Sequence, residues 1–455
     1  SSKLFVYLCN MEFSDLNISR QMLRALDDIG FKKTTDIQEK AFSTIMSGRD
    51  VVGIAQTGTG KTIAYLLPVL RLWKFTKDPN PRILILVPTR ELTLQVKAEI
   101  DKLTEYMNVV TVAAYGGINL KKHSAELMEG CDIVVATPGR LLDLIWTKAL
   151  NTKFIKKLII DEVDEMLNLG FRSQLNDILE LLPEKKQNLL FSATITEDVA
   201  VLIDDHFNSP ERIISADSGT PLDNITQVKF HVPNFYSKVN LLKYHLQDKE
   251  KFNKVIIFLN TKKMSDILHE NIVELFGDEV GVIHSNKSQN YRLNAISKFD
   301  NGEHRLLIAT DILARGIDLN TVSHVINFHI PEEAESYVHR IGRTGRAEAE
   351  GRTISYITEK EKPFMKAIEG LMEYAVPEIN VPAAVEISEE LLYTEIEEVQ
   401  MPNMNMKNPT KGPSGAAFHT KKDKNINITV EEARRIKRRK RLLQLRSKAK
   451  GKKGR

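Results

Sequence analysis

One stretch of the chain has residue types suited to binding the phosphates of a nucleotide. The residues from Ala55 to Thr62 follow a predicted strand and open a predicted helix. Glycines at Gly58 and Gly60 let backbone N–H groups turn toward phosphate oxygens, Lys61 supplies positive charge, and Thr62 supplies a hydroxyl ligand for Mg²⁺. The residues expected to contact the nucleotide here are Gln56, Thr57, Gly58, Thr59, Gly60, Lys61 and Thr62. A plain glycine-rich turn is the alternative, and the strand-then-helix context disfavours it.

A second stretch supplies the carboxylates that phosphate chemistry requires. The apolar run Leu158–Ile160 is followed by Asp161, Glu162 and Asp164. Asp161 is placed to hold Mg²⁺ through water, and Glu162 to orient and deprotonate an attacking water. An acidic cluster after a strand is usually a solvated loop, but the phosphate-binding stretch about 100 residues upstream favours a catalytic interpretation.

These residues must be positioned by alternating strands and helices. Short β-branched runs separated by helical stretches are typical of a parallel α/β sheet, and the pattern occurs twice. We therefore predict an α/β fold with two tandem parallel-sheet lobes and a short linker. The expected division is a non-native or disordered leader at 1–10, a first lobe at 11–214, a linker at 215–223, a second lobe at 224–377, and an acidic then basic, largely disordered tail at 378–455.

Composition narrows the classes of protein further. A chain of 455 residues is longer than one hydrophobic core usually organises, so two or three domains are expected. Two cysteines, Cys9 and Cys131, give no disulfide framework and favour a reducing, cytoplasmic location. The only apolar stretch near the start, Leu4 to Leu8, is too short for a membrane span or signal core, so no membrane role is expected.

The charge of the chain is concentrated at one end. Residues 410–455 hold 17 Lys or Arg against three acids, a net +14, so the first 409 residues carry −10 of the total of +4. Such asymmetry favours a basic arm that binds nucleic acid; a solvated, solubilising tail is the alternative.

With both phosphate motifs in place, the sequence resembles the DEAD-box RNA helicases, with D-E-V-D as its acidic motif. The resemblance covers about residues 13–357. The C-terminal tail is similar to the tails of bacterial RhlE-like helicases. The resemblance to the family implies two RecA-like lobes, ATP and Mg²⁺ as cofactors, and RNA as the substrate. It also implies adenine recognition by Gln38, with Phe31 and the upstream Phe13 as the aromatic partners.

Further motifs of the family supply the remaining implied roles. Ser192 and Thr194 match the motif that couples hydrolysis to strand separation. In the second lobe, Arg343 and Arg346 match arginine fingers, His339 and Arg340 are expected to bridge to the acidic motif, and Gly316 and Asp318 are expected near the ribose and γ-phosphate. The implied RNA-backbone contacts are Pro88, Thr89, Arg90, Gly117, Thr137, Pro138, Gly139, Arg140, Gln289, Arg292 and Thr310.

The resemblance implies an RNA-stimulated ATPase that unwinds RNA locally and without long tracking, because closure of the lobes is the driving step. Ribosomal precursors or RNA-decay complexes are the expected settings. Two alternatives remain open at this point: a DNA-directed helicase, and an ATP-gated RNA clamp that scaffolds an RNP. Of two departures from the family pattern, Val163 is apolar and leaves the three carboxylates in place, so activity is expected to survive, whereas His329 has no account from sequence.

Overall fold

A computed structural model describes residues 11–55, 59–215, 225–311, 322–344 and 351–395 of the chain. Within these residues the strands form two seven-stranded sheets, and all their strand pairs are parallel. The predicted fold of two tandem parallel-sheet lobes is confirmed. The expected leader at 1–10, the linker at 216–223 and the basic tail at 410–455 lie outside the described residues.

The sheet of the first lobe has the order β3-β4-β2-β5-β6-β1-β7. Its strands are β1 (Val51–Ile54), β2 (Ile83–Leu86), β3 (Thr111–Ala114), β4 (Ile133–Ala136), β5 (Lys157–Ile160), β6 (Gln187–Ser192) and β7 (Glu211–Ile214). Its central strands are buried on both faces, as runs of Ile, Leu and Val predict for a parallel sheet.

Helices cover both faces of this sheet. They are α1 (Arg20–Asp28), α2 (Asp36–Met46), α3 (Lys61–Arg71), α4 (Arg90–Leu103), α5 (Leu120–Glu129), α6 (Pro138–Trp146), α7 (Val163–Asn168), α8 (Arg172–Leu181) and α9 (Glu197–His206). One hydrophobic core lies between the sheet and helices α1 to α4, and a second core lies between the sheet and helices α5 to α9. Val163 is fully buried in the second of these cores, so its two methyl groups are accommodated by packing.

The second lobe repeats the design with the order β10-β11-β9-β12-β13-β8-β14. Its strands are β8 (Ile225–His231), β9 (Val255–Leu259), β10 (Val280–Ile283), β11 (Leu306–Thr310), β12 (His324–Asn327), β13 (Gly351–Ile357) and β14 (Glu378–Ile379). Its helices are α10 (Phe235–Leu246), α11 (Lys262–Phe276), α12 (Gln289–Asp300), α13 (Ala334–Ile341) and α14 (Lys362–Met372).

The packed part of the second lobe continues past the expected boundary at residue 377. Strand β14 pairs with β8, and the side chains of Val385 and Leu392 are buried in the core of the lobe. The carboxylate of Glu395 accepts hydrogen bonds from the backbone N–H groups of Phe235 at 2.7 Å and Leu392 at 2.9 Å. The prediction of a tail from residue 378 is therefore wrong for residues 378–395. Alternating apolar side chains in this acidic stretch give it enough surface to bury.

No helix among the described residues is long and apolar enough to cross a membrane. Cys131 is buried, and burial raises the pKa of its thiol to about 12.

Candidate nucleotide and RNA site

The functional side chains of the first lobe gather at one edge of its sheet. The loops after β1, β5 and β6 all leave from carboxyl ends of parallel strands, so they meet at that edge. Lys61 is the first residue of α3 and is buried, and Gly60 before it has φ of 82°. A Cβ at Gly60 would lie 2.2 Å from the Gln38 side-chain nitrogen, so only glycine fits there.

Asp161 is held in place by two hydrogen bonds. Its carboxylate accepts from the Tyr65 hydroxyl at 3.0 Å and from the Glu162 backbone N–H at 2.9 Å. Tyr65 lies on α3, one turn after Lys61, so the helix that begins at the phosphate-binding stretch also orients the acidic motif. Tyr65 is a site residue that the sequence motifs did not indicate, because nothing in its neighbourhood in the chain points to Asp161.

Glu162 has a left-handed backbone conformation, with φ of 51° and ψ of 49°. This region costs a non-glycine residue roughly 1–2 kcal/mol. Glu162 immediately precedes α7, and the strained turn directs its side chain into a small cavity. Strain of this kind concentrates at functional sites, where the surrounding structure enforces it.

The groups that line this small cavity suit the phosphate end of a magnesium-bound nucleotide. Within the described part of the chain, the Lys61 Nζ and the Glu162 Oε2 are buried and have no hydrogen-bond partner. A buried ammonium and a buried carboxylate oxygen without partners suit a phosphate and a water. The described residues contain no group of three or more His, Cys, Asp or Glu side chains that could hold a metal. Mg²⁺ would therefore need phosphate and water oxygens beside Thr62 and Asp161.

Burial, reinforced by the neighbouring Asp161, raises the pKa of Glu162 to about 7, and the charges of Lys61 and Arg343 limit the rise. A carboxylate with such a pKa can accept a proton from water at neutral pH.

We expect kcat/KM for ATP hydrolysis to rise with pH through about 7, because Glu162 must be ionised to act as a base. The measurement is the pH profile of steady-state ATPase activity with saturating RNA. The residual activity of Glu162→Gln should not rise with pH in this range. If kcat/KM of Glu162→Gln still rises through about pH 7 as in the parent, another group is responsible for the rise.

Asp164 links the acidic motif to the segment after β6. Its Oδ2 accepts hydrogen bonds from the Ala193 backbone N–H at 3.2 Å and from the backbone N–H and hydroxyl of Thr194, each at 3.0 Å. The Ser192 hydroxyl in turn donates to the Thr194 carbonyl at 2.7 Å. The two expected coupling residues, Ser192 and Thr194, therefore lie where a change at the acidic motif reaches them directly.

The second lobe contributes to the same cavity. Its lining residues are Lys61, Glu162, Asp164, Glu165, Ala193, His339 and Arg343. Burial alone would raise the pKa of Asp164, but the charges of His339 and Lys61 outweigh it and lower the pKa. The cavity thus joins Lys61 and the acidic motif of one lobe to a histidine on α13 of the other lobe and to an arginine in the turn just after that helix.

Arg340 has a different role from the one expected. It was predicted with His339 to bridge to the acidic motif, but only His339 lies there. The Arg340 guanidinium binds both carboxylate oxygens of Asp311, at 2.5 and 2.7 Å, and is 2 % exposed. Arg340 therefore makes a structural ion pair within its own lobe, because a buried guanidinium is stabilised by a bidentate carboxylate close to it.

The residues expected to recognise adenine are divided between core and surface. Phe13 is 3 % exposed and packs in the core of the first lobe, and its contact with a nucleotide remains a prediction. Phe31 is 44 % exposed and available for stacking. The Gln38 amide accepts from the Thr35 N–H at 3.0 Å and donates to the Gly60 carbonyl at 3.2 Å, which joins it to the phosphate-binding stretch.

Two helix starts and one loop of the first lobe carry the expected RNA contacts. Thr89 follows the buried Pro88 and caps α4, with its hydroxyl accepting from the Leu92 N–H at 3.2 Å. The Arg90 guanidinium packs against Gly117, where a Cβ would lie 2.2 Å from its Nη1. Gly117 has φ of 89°, a conformation that favours glycine, and a Cβ there would displace the Arg90 guanidinium.

The start of α6 combines an open backbone with a buried arginine. Thr137 and Pro138 begin α6, and a Cβ added at Gly139 would meet no atom within 4 Å. Arg140 is 9 % exposed and donates to the Ile118 carbonyl at 2.7 Å, so its guanidinium supports the neighbouring loop. Thr310 is likewise 9 % exposed, at the end of β11.

Gln289 and Arg292 contact the other lobe. Arg292 Nη1 lies 2.8 Å from a carboxylate oxygen of Glu91, and Gln289 donates to the same oxygen at 3.4 Å. Glu91 and Arg292 are each 6 % exposed. The pair was not evident from sequence, since the partners lie on different lobes and about 200 residues apart in the chain.

Several expected site residues lie outside the described residues. They are Gln56, Thr57, Gly58, Gly316, Asp318 and Arg346. Their predicted contacts remain predictions.

Comparison with known proteins identifies similar families in both lobes. A family model described as DEAD/DEAH box helicase matches residues 35–202, and one described as Helicase conserved C-terminal domain matches residues 237–348. The chain is 37% identical over 376 residues to a Bacillus subtilis protein named ATP-dependent RNA helicase DbpA, covering 83% of this chain and 78% of that one. It is 38% identical over 369 residues to eukaryotic initiation factor 4A of Dictyostelium discoideum, covering 81% of this chain and 90% of that one.

Solved structures with bound RNA share the architecture. Mss116p bound to single-stranded RNA and AMP-PNP has a TM-score of 0.76 at 27% identity, with 86% of this chain and 83% of that chain covered. Dbp5 of S. cerevisiae bound to RNA and ADP BeF3 has a TM-score of 0.73 at 27% identity, with 81% of this chain and 96% of that chain covered.

Proposed function

The chain belongs to the DEAD-box family of ATP-dependent RNA helicases, and from this premise we propose that it opens short RNA duplexes by closing its two lobes around ATP and one RNA strand. One observation carries the proposal: the groups suited to catalysis are divided between the lobes and line a single cavity. Lys61 and Glu162 come from the first lobe, and His339 and Arg343 from the second. Hydrolysis would then require closure, which couples it to RNA.

In this proposal the first lobe binds the nucleotide. Lys61 would neutralise the phosphates, and Thr62 and Asp161 would hold Mg²⁺, which supplies charge stabilisation to the transferring phosphoryl group. Glu162 would take a proton from the attacking water, as its partnerless buried oxygen and raised pKa support. Arg343, whose charge acts on Glu162, would stabilise the charge that develops during transfer.

The RNA would be held by its backbone. The expected donors are helix starts, hydroxyl groups and a guanidinium, which suit phosphate and the 2′-hydroxyl rather than base edges. Binding by the two lobes would therefore be largely independent of sequence. The Glu91–Arg292 contact between the lobes supports a closed state in which the predicted RNA motifs of both lobes are brought together. A strand gripped on both lobes would bend and lose its partner locally, without long tracking.

Two assays separate this function from its alternatives. The proposal predicts stronger stimulation of ATPase activity by single-stranded RNA than by single-stranded DNA, and ATP-dependent displacement of a strand from a short RNA duplex. Equal stimulation by DNA would favour a DNA-directed motor. RNA-stimulated ATPase activity without displacement at any duplex length tested would favour an RNA clamp.

Deletion of residues 410–455 is expected to weaken RNA binding and to reduce its dependence on salt, because fewer cations would release counterions from RNA. The measurement is RNA affinity over a series of salt concentrations, for the full chain and the truncated chain. ATP affinity in the absence of RNA serves as the control and should be unchanged. An identical salt dependence in the two chains would contradict a role for the basic tail in RNA binding.

We also propose a subgroup, an RNA setting and a location for the chain. The basic tail is the basis for placing the chain in the RhlE-like subgroup and for proposing ribosomal precursors or RNA-decay complexes as its settings. A cytoplasmic location rests on the low cysteine content. Crosslinking of the chain to RNA in cells, followed by sequencing of the bound RNA, tests the first two.

A further inference from the structure

The second lobe contains a buried ion pair, Lys238 and Glu361, and neither residue lines the nucleotide cavity. Lys238 lies on α10 and is 1 % exposed, and its ammonium is 2.5 Å from the carboxylate of Glu361, which is 8 % exposed. Removing two charges from water costs several kcal/mol per ion, and apolar residues of similar size often serve stability as well or better. Stability alone therefore does not account for this pair.

Both members of the pair bind the short segment that follows β12. The Lys238 ammonium donates to the Phe328 carbonyl at 2.8 Å, and the Glu361 carboxylate accepts from the Ile330 backbone N–H at 3.0 Å. The other Glu361 oxygen is occupied by the N–H and hydroxyl of Thr358, each at 2.9 Å. The backbone of residues 328–330 is thus fixed from one side by a lysine and a glutamate that have almost no freedom to move.

The opposite side of this segment binds Arg340. The Arg340 guanidinium donates to the His329 carbonyl at 2.6 Å and to the Asn260 side-chain oxygen at 3.1 Å. The Asn260 side-chain N–H in turn donates to the Ile330 carbonyl at 3.0 Å. Residues 328–330 therefore lie between the ion pair and Arg340. A displacement of this backbone would remove acceptors from a buried guanidinium.

Arg340 lies near the end of α13, between His339 on the helix and Arg343 in the turn that follows it, and both of these residues line the nucleotide cavity. His339 precedes it, and the Arg343 backbone N–H bonds to the Arg340 carbonyl at 3.1 Å. A shift of about 1 Å in a catalytic group can lower turnover by about a hundred-fold, so the position of Arg340 bears directly on that of Arg343.

We propose that Lys238 and Glu361 are positioning residues for ATP hydrolysis, which hold residues 328–330 so that Arg340 fixes α13 and presents Arg343 to the nucleotide. This inference rests on the proposed function of Arg343 and extends it to a pair that touches neither nucleotide nor RNA. The pair acts through backbone groups, which explains how His329 can occupy its position. His329 contributes its backbone carbonyl, and burial keeps its imidazole ring neutral by lowering the pKa of that ring to about 3.

The test replaces both charges at once, with Lys238→Met and Glu361→Gln in the full chain, so that no buried charge is left unpaired. The matched control is Lys229→Met with Glu369→Gln. That pair joins β8 to α14 at 2.8 Å in the same lobe, is about one-fifth exposed, and has no hydrogen bond to residues 328–330 among the described contacts. Thermal unfolding of each variant reports whether the lobe is folded.

We expect kcat of the RNA-stimulated ATPase to fall about ten-fold or more in the Lys238/Glu361 variant, with KM for ATP nearly unchanged, and the control to retain parental kcat. Hydrogen exchange followed by mass spectrometry should show faster exchange across residues 334–341 in that variant only. Parental kcat, or unchanged exchange in 334–341, overturns the positioning role.

A single Lys238→Met variant provides the same test if the double variant does not fold, since Glu361 can take up a proton and still accept from the Ile330 N–H while the Phe328 carbonyl loses its donor. It should raise exchange in 334–341 to a smaller extent, and no rise overturns the proposal. The exchange measurement needs no ATPase activity. A parent chain without RNA-stimulated ATPase would contradict the proposed function, whereas the exchange result judges the positioning role separately.

Discussion

Glu162→Gln is expected to lower the rate of ATP hydrolysis by about 10²–10⁴-fold while ATP-dependent RNA binding is retained. The amide has the shape of the carboxylate but cannot take a proton from water. Burial has raised the pKa of this residue to about 7, so the parental group is suited to that transfer at neutral pH. Loss of a negative charge beside phosphates would, if anything, favour the ATP-bound closed state. Single-turnover ATP hydrolysis and RNA binding with ATP present measure the two effects.

The control for this experiment is Glu129→Gln, which changes an exposed carboxylate at the end of α5 in the same lobe. It should hydrolyse ATP at the parental rate. If Glu162→Gln loses ATP-dependent RNA binding together with hydrolysis, closure is not the step that couples the two, and the proposed mechanism fails. Retained hydrolysis would show that another group activates the water.

Arg343→Ala is expected to lower kcat by about 10³–10⁵-fold, the range found for arginine fingers. Arg343 is 3 % exposed, lines the cavity with Lys61 and Glu162, and its charge lowers the pKa of Glu162. A guanidinium in this position can give two parallel hydrogen bonds to a transferring phosphoryl group. ATP affinity of the open state should change little, since Lys61 and Thr62 lie on the first lobe. Steady-state ATPase activity and nucleotide titration measure kcat and affinity.

Lysine at this position provides a more selective test. Arg343→Lys keeps the charge but lacks the planar fork, so we expect it to recover only a small part of the lost rate. Arg352→Ala, at an exposed position on β13, is the control for removing an arginine from this lobe. Full activity of Arg343→Lys would show that charge alone is needed. Full activity of Arg343→Ala would remove Arg343 from the proposed catalytic groups.

The local chemistry of the site could be predicted from sequence because it depends on short spacings. A lysine after a glycine at the start of a helix, and carboxylates at the end of a strand, imply their roles wherever the strands are parallel. The observed hydrogen bonds between Asp164 and Thr194 agree with the expectation that these two motifs meet. The parallel sheets themselves were evident from alternating β-branched runs.

Pairing between distant segments could not be predicted in the same way. Arg340 was expected near the acidic motif and instead binds Asp311, because its buried guanidinium finds a carboxylate within its own lobe. Phe13 matched an aromatic of the family pattern, yet its ring fills the core. The stretch after residue 377 has an acidic composition that predicts disorder, but its few apolar side chains are enough to dock it against α10.

The sequence by itself determined the fold class, the family and the residue types that suit ATP and RNA chemistry, since these follow from local patterns and their order along the chain. Only the tertiary structure decided which of those residues meet. It brought Arg343 to Glu162, paired Glu91 with Arg292, and fixed residues 328–330 between Arg340 and the Lys238–Glu361 pair. The physical reason is that these contacts join groups far apart in the chain, whose geometry and burial exist only after both lobes have packed.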